Sequence, residues 1–465
     1  MIESFISSVG GVLSYALIIV LILGGLYFTF RTKFAQVGML GEQIRSVTEK
    51  PKDKKGVSSF AALMVSTASR VGTGNIIGVS TAICLGGFGS VFWMWVIAII
   101  GSASAFVEST LAQIYKKKGP NGSYGGPAYY IETALKCRPL AIVFSVLLIV
   151  TYGIGFNMLA SYNLQSTFSA YEFYNPTVTP WVIGLIIALI VGYCLFGGGS
   201  RLVKITGWLV PIMGIAYIGV AIVIVFINIT ELGSVLMRVF SDAFNFEAIF
   251  GGFGGSCVMY GIKRGLFSNE AGVGSAPNAS ASAEVSHPVK QGLVQVLSVF
   301  IDTLLVCSAT AFMCMCSGVE PTEALSGAPY VQAALRSTLG EFGPIFITVA
   351  MILFAFTMLI GNLYYVNQAF SHIFGHVPDK KFNYAYYIIA SLVIFVGAGL
   401  SAGMLWDIAD ITMTLMALIN IPVIFIIGRY AFRALKDYRK QKKQGKVPEF
   451  HAKDIGITDE LDYWQ

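Results

Sequence analysis

Charge is what this sequence has least of. Asp, Glu, Lys and Arg make up 12% of its 465 residues, while 55% are hydrophobic. Soluble domains carry about a quarter charged residues, so a water-soluble fold of this length is excluded. Histidine is scarcer still, with 4 in the chain. No HExxH pair occurs, which removes that metallopeptidase pattern. The 7 cysteines contain no CxxC pair. Most lie in apolar runs, where a thiol behaves as a small hydrophobe, and "CMC" at 314–316 is the nearest approach to a ligand motif. The N-terminal "MIESFISSVGG" has no basic stretch, so no cleaved signal peptide is expected. A net charge of +6 is no nucleic-acid footprint, because the basic residues sit in loops and tail. Short alternating segments of the β-barrel kind are missing as well.

What is present is a series of long apolar runs. Each bilayer span needs about 20 such residues. Eleven segments qualify, at 11–31, 59–86, 90–115, 140–169, 181–198, 206–228, 248–283, 291–317, 343–373, 384–402 and 405–429. The pattern predicts an all-α polytopic membrane protein with eleven transmembrane helices. Lys and Arg crowd alternate connections: Arg31 to Lys55, Lys116 to Arg138, Arg201 and Lys204, Lys380 and Lys381, and the tail from Arg429 to Lys446. Eleven spans put all of these on one side. The expectation is a cell-membrane protein with its N-terminus outside and its C-terminus cytoplasmic. The closing "HAKDIGITDELDYWQ" reads as a soluble, mobile tail.

Two spans are interrupted. One holds "TASRVGTGNIIGVS" (67–80), the other "YGIKRGLFSNEAGVGSAPNASAS" (260–282). Irregular backbone at membrane depth is tolerated only when buried in protein or lining a cavity. These spans open two sets of five, spans two to six and seven to eleven. An odd number per set inverts the second set relative to the first. Paired broken helices in inverted halves point to a transporter's midplane site. The predicted division is 1–58, an extra N-terminal helix and basic loop; 59–228, a five-helix repeat; 229–429, its inverted copy; and 430–465, a cytoplasmic tail. Half-helix ends offer amide N–H groups to a carboxylate and carbonyls to a cation. Gly72 and Gly74 in the first break, and Gly272, Val273 and Gly274 in the second, bring backbone close to a ligand. Phe267, Ser268 and Asn269 sit at the edge of the second break. "GTGNIIG" lacks the spacing and the preceding strand of a dinucleotide loop. "GLSAG" (399–403) lacks the strand-turn-helix context of a nucleophile and reads as a tight interhelical turn.

"GPNGSYGGPAYYI" (119–131), "FVESTLAQIYKKK" (106–118) and "KRGLFSNEAGVGSAPNASASAEVSHPVKQG" (263–292) resemble the alanine/glycine:cation symporter family over nearly the whole chain. That family lies in the amino acid–polyamine–organocation superfamily, whose core is a five-plus-five inverted repeat. "VGTGN" (71–75) is also similar to the first core helix of bacterial neurotransmitter:sodium symporters. That similarity implies Thr73 and Gly74 at the substrate carboxylate, and Asn75 at both substrate and sodium. It further implies Ala68 and Val71 carbonyls with the Thr357 hydroxyl at a second ion site. Arg70 replaces a small residue of those relatives. The superfamily's third core helix lines the pocket, which implies Phe156, Asn157 and Gln165 as candidates.

Arg70, Glu108, Glu270, Asp302, Asp407 and Asp410 fall at membrane depth, where charges face inward and pair. An Arg70–Glu270 pair is expected to link the two broken helices. Lys263 and Arg264 are expected to snorkel or to cap a half-helix. No carboxylate lies in "VGTGN", which favours Na+ over H+ as coupling ion, while Glu270 keeps a proton-coupled version open. The expected function is symport of Na+ with a small neutral amino acid, alanine or glycine, by alternating access. An ion channel would call for repeated pore-lining rings, and no enzyme chemistry is expected. Oligomeric state is not legible.

Overall fold

The computed structural model describes residues 2–49, 51, 56–120, 122–197, 199–252 and 255–464. The described residues are almost wholly helical, with one two-stranded hairpin, Lys117–Gly119 against Gly122–Tyr124. We number the helices that matter as α1 (Ile2–Arg31), α2 (Ser59–Arg70), α3 (Gly74–Gly86), α4 (Gly89–Ile114), α5 (Arg138–Ala170), α6 (Thr179–Leu195), α7 (Gly199–Ile227), α8 (Cys257–Asn269), α9 (Pro277–Ser280), α10 (Pro288–Met315), α11 (Phe342–Phe374), α12 (Lys380–Ala398), α13 (Ala402–Ile427) and α14 (Arg429–Lys443). Eight of them, α1, α4, α5, α7, α10, α11, α12 and α13, are long and apolar enough to cross a membrane. The other three segments expected from sequence are α6, with 17 residues, and the split pairs α2/α3 and α8/α9.

Both interruptions are real. Helix α2 starts at a Ser58 cap, whose hydroxyl accepts the Ala61 amide at 3.1 Å, and stops at Arg70. The chain resumes at Gly74 in a π turn, Gly74–Gly78. The second break is wider. The Ser256 hydroxyl caps α8 by accepting the Met259 amide at 3.3 Å, so the helix begins at Cys257 rather than at 248. Phe246–Gly251 is a separate short helix. Glu270 (φ 54), Gly272 (φ 85) and Gly274 (φ 92) then leave the right-handed region in quick succession. Two of these three positions are glycine because an L side chain is strained there. "GLSAG" is the expected turn, joining α12 to α13.

Helix α4 is the central post, packed by α1, α8 and α10, while α11 lies against α2 and α5. Largely exposed apolar side chains, such as Leu189, Trp208, Ile215 and Phe226, stud the outer faces of α6 and α7. In a bilayer that is the lipid face.

The C-terminal expectation is corrected. The last residues are docked, not mobile. Phe450, Ile455, Ile457 and Leu461 are buried. The Phe450 amide donates to the Ser286 carbonyl at 3.1 Å, and Asp462 pairs with Lys117 at 3.1 Å. A tail carrying this much apolar surface lowers its free energy by covering the helix ends.

Candidate functional site

The two breaks meet at one point. A Cβ on Gly74 would lie 2.8 Å from Cδ1 of Phe267 and 3.5 Å from Cα of Ser268. Only glycine lets the start of α3 come this close to the end of α8. The Phe267 ring is held between Phe156 at 4.7 Å and Trp406 at 4.8 Å, centroid to centroid. Beyond this aromatic layer opens a cavity of about 640 Å³, lined in part by Ile77, Asn163, Gln165, Arg264 and Trp406. Gln165 accepts the Tyr174 hydroxyl at 3.0 Å. Asn163 donates to the Thr73 hydroxyl at 3.0 Å, which ties α5 to the first break.

Lys263 and Arg264 neither snorkel nor cap. Arg264 makes a two-pronged contact with Asp410, at 3.1 and 3.2 Å, and Lys263 reaches the same carboxylate at 2.8 Å. The Arg264 guanidinium also lies 4.0 Å over the Trp406 ring. This cluster joins α8 to α13 on the cavity wall. Truncating one member of a buried pair strands the other charge, at a cost of roughly 3–5 kcal/mol. Asp410→Asn should therefore lower the thermal unfolding midpoint in detergent by several degrees. An unchanged midpoint would show that the cluster carries no stability.

Below the aromatic layer, the Asn75 side chain ties the first break to α10. Its carbonyl accepts the Gly72 amide at 2.8 Å and so closes the first break locally. Its amide donates to Asp302 Oδ1 at 2.8 Å. Ser268 and Thr303 each donate to Asp302 Oδ2 at 2.8 Å. Asp302 sits in a π turn of α10, Phe300–Cys307, and Asn75 in the π turn of α3. Such turns recur where a helix departs from regularity for function. Four oxygen-bearing side chains from α3, α8 and α10 thus converge beside the junction of the breaks.

The expected Arg70–Glu270 pair is not the link. The Arg70 guanidinium points to α10 and donates to Gln295 Oε1 at 3.0 Å. Glu270 instead accepts Ser69 at 3.1 Å and Ser275 at 2.6 Å. Neighbouring residues on a helix face directions about 100° apart, so Ser69 and Arg70 cannot both address α8. Arg70 still interacts electrostatically with Glu108, Glu270 and Asp302.

The remaining candidates divide. Gly272, Val273 and Gly274 lie on the far side of the second break. The Gly272 amide donates to Glu108 at 3.3 Å, and Asn420 donates to both Glu108 and the Gly272 carbonyl, at 2.7 and 3.0 Å. Gly274 abuts Phe144, and the Val273 amide bonds the Glu270 carbonyl. Asn269 turns its Oδ1 back to the Ala271 amide at 3.0 Å. Ala68 and Val71 are buried beside the first break. Thr357 is not turned toward them. Its hydroxyl bonds the Leu353 and Phe354 carbonyls of its own helix, both at 3.1 Å, and faces Met213. What α11 does bring to the break is Met358 against Gly72, Gly361 against Ser69, and Asn362 bonded to Ser69 at 2.7 Å. Asp302, Asn163, Asn362 and Trp406 carry the site without having been assigned to it from sequence. Of these, only Asp302 gave a signal, as an acid at membrane depth.

The opposite end of the broken helices is tied together. The Glu284 amide bonds the Val57 carbonyl at 2.9 Å, and Gln291 donates to Ser59 at 2.9 Å. Gln113 donates to the carbonyls of Ser280 and Ala283, and Lys116 to that of Ala283 at 3.0 Å. Trp464 of the tail donates to the Gln113 carbonyl at 2.8 Å.

With this geometry in view, similarity to known proteins is informative. A family model described as the sodium:alanine symporter family matches residues 1–452. The "Probable sodium/glutamine symporter GlnT" of Bacillus subtilis (strain 168) is 44% identical over 97% of this chain and 93% of its own length. The "Sodium/proton-dependent alanine carrier protein" of Bacillus sp. (strain PS3) is 35% identical over 91% and 97%. Among solved structures, MhsT in complex with L-phenylalanine superposes with a TM-score of 0.59, covering 82% of this chain and 92% of that one, at 16% identity. At that identity the likeness speaks for the fold.

Proposed function

The chain belongs to the sodium:alanine symporter family, and from that premise we propose that it couples inward movement of Na+ to uptake of alanine or glycine by alternating access. It is a multi-pass membrane transporter and not an enzyme. The observation that carries the reading is the contact of Gly74 with Phe267, which joins both breaks beside the Asn75–Asp302–Ser268 network.

In this reading the amino acid enters from the 640 Å³ cavity and sits at the junction. Its carboxylate meets the backbone at Thr73, Gly74 and Asn75, where the α3 dipole is positive. Phe156, Gln165, Phe267, Ser268 and Asn269 shape the pocket, and Gly272, Val273 and Gly274 give the second break its freedom to move. Gly74 packed on Phe267 leaves little room for a large substrate. Na+ is taken by Asn75 together with Asp302, and by the Ala68 and Val71 carbonyls. Thr357 joins them once χ1 rotation frees its hydroxyl from its own helix. A single charge moved through 100 mV contributes about 2.3 kcal/mol to accumulation. The fold is read as an extra helix within 1–58, inverted repeats at 59–228 and 229–429, and a tail at 430–465. The loop charges favour the cell membrane, with the N-terminus outside and the tail cytoplasmic. The cavity then faces outward and the tied end faces the cytoplasm.

A proton-coupled variant keeps the same site with Glu270 as carrier. It is favoured by the full burial of that carboxyl, which disfavours its charged form, and by the sodium/proton naming of one relative. Proteoliposome uptake decides between them. Replacing external Na+ by choline should reduce alanine uptake to background. Full uptake driven by a proton gradient alone would assign the ion to H+. Sodium flux that persists without any amino acid would describe a channel instead.

A further inference from the structure

A second cavity, of about 610 Å³, lies far from the transport site, where the end of α1 meets α14. Six cations line it: Arg31, Lys33, Lys436, Arg439, Lys440 and Lys443. Among the described residues no acidic side chain does. The acids near α14 are engaged on its other side. Glu42 takes Lys442 at 2.8 Å and the Tyr438 hydroxyl at 2.8 Å, while Asp437 faces His287 at 3.4 Å. One face of α14 is thus charge-balanced, and the face toward α1 is left purely positive.

The cavity is also built. Arg439 donates to the Thr32 carbonyl at 3.0 Å and pins α14 to the end of α1. Arg31 lies 5.0 Å over the Phe432 ring, which with Leu435 lines the apolar part of the wall. From Phe432 an aromatic path leads through Tyr27 to Phe425. There Phe30, Phe425 and Ile426 are more than half exposed on the membrane side. Its volume lies within the range of small-ligand sites.

A polar, polycationic chamber at a span's end, continuous with an exposed apolar strip, has the two-part chemistry of a phospholipid. We propose that it binds the phosphate headgroup of an anionic phospholipid, with the acyl chains lying along Phe30 and Phe425. Orientation signalling explains why basic residues lie on this side of the chain. It does not explain the convergence of six of them on one concave wall. Each cation near an anionic membrane surface adds about 1 kcal/mol of attraction.

A free phosphate would satisfy the same cations, so the test separates the two sources. The full chain in detergent is titrated with phosphatidylglycerol, phosphatidylcholine or inorganic phosphate, and bound ligand is counted by native mass spectrometry. Phosphatidylglycerol should saturate at low stoichiometry, and phosphatidylcholine should not. Lys33→Gln/Lys440→Gln/Lys443→Gln should weaken phosphatidylglycerol binding on the order of 100-fold, the three lost cations' worth. This variant keeps Arg439 on Thr32, and its lipid-free unfolding midpoint should match that of the parent. Equal affinity of parent and variant would overturn the proposal. So would displacement of the lipid by equimolar inorganic phosphate.

Discussion

Replacing Gly74 by valine should cut Na+-driven alanine uptake by about 10- to 100-fold in proteoliposomes while the protein still inserts. A Cβ at this position would stand 2.8 Å from the Phe267 ring. That ring cannot step aside, because Phe156 and Trp406 hold it on both sides. Overpacking of this kind costs roughly 1–3 kcal/mol, and here it pries apart the two broken helices rather than a passive core. Gly74→Ala should fall between parent and valine. Gly207 has nothing within 4 Å of its would-be Cβ, so Gly207→Val controls for a generic effect of valine and should leave uptake within about twofold. Undiminished uptake by Gly74→Val would remove the junction from the transport site.

For Asp302→Asn the expected result is a rise of about tenfold or more in the apparent Na+ constant. This carboxylate accepts Asn75, Ser268 and Thr303 at once. Hydrogen bonds to a charged group contribute about 1.5–3 kcal/mol each. An asparagine keeps the shape but turns an amide toward donors, so at least one of these bonds is lost along with the negative charge. Uptake is measured across a Na+ series at saturating alanine. A larger change for Thr357→Ala than for Asp302→Asn would move the ion toward α11. A Na+ constant that Asp302→Asn leaves alone would make the acid a purely structural clamp.

The breaks themselves were readable because glycine, asparagine and serine at membrane depth contradict an ordinary span. The "GLSAG" turn was readable for equally local reasons. Pairings were not. Arg70 finds Gln295 rather than Glu270, and Lys263 and Arg264 find Asp410, because azimuth and depth decide partners more than 140 residues apart in the chain. Motif matching names Thr357 by residue type and leaves its rotamer open. The residue type is suitable, but its hydroxyl bonds its own turn. The docked tail was hidden because Phe450, Ile455, Ile457 and Leu461 follow no helical or strand period and sit among charges.

Trp464 hangs from the Gln113 carbonyl, and the Gln113 side chain grips Ser280 and Ala283 at the end of α9. Any swing of α9 away from α4 therefore alters the surroundings of an indole. With 6 tryptophans in the chain, a version retaining Trp464 alone would turn the protein into its own optical gauge of which side is open.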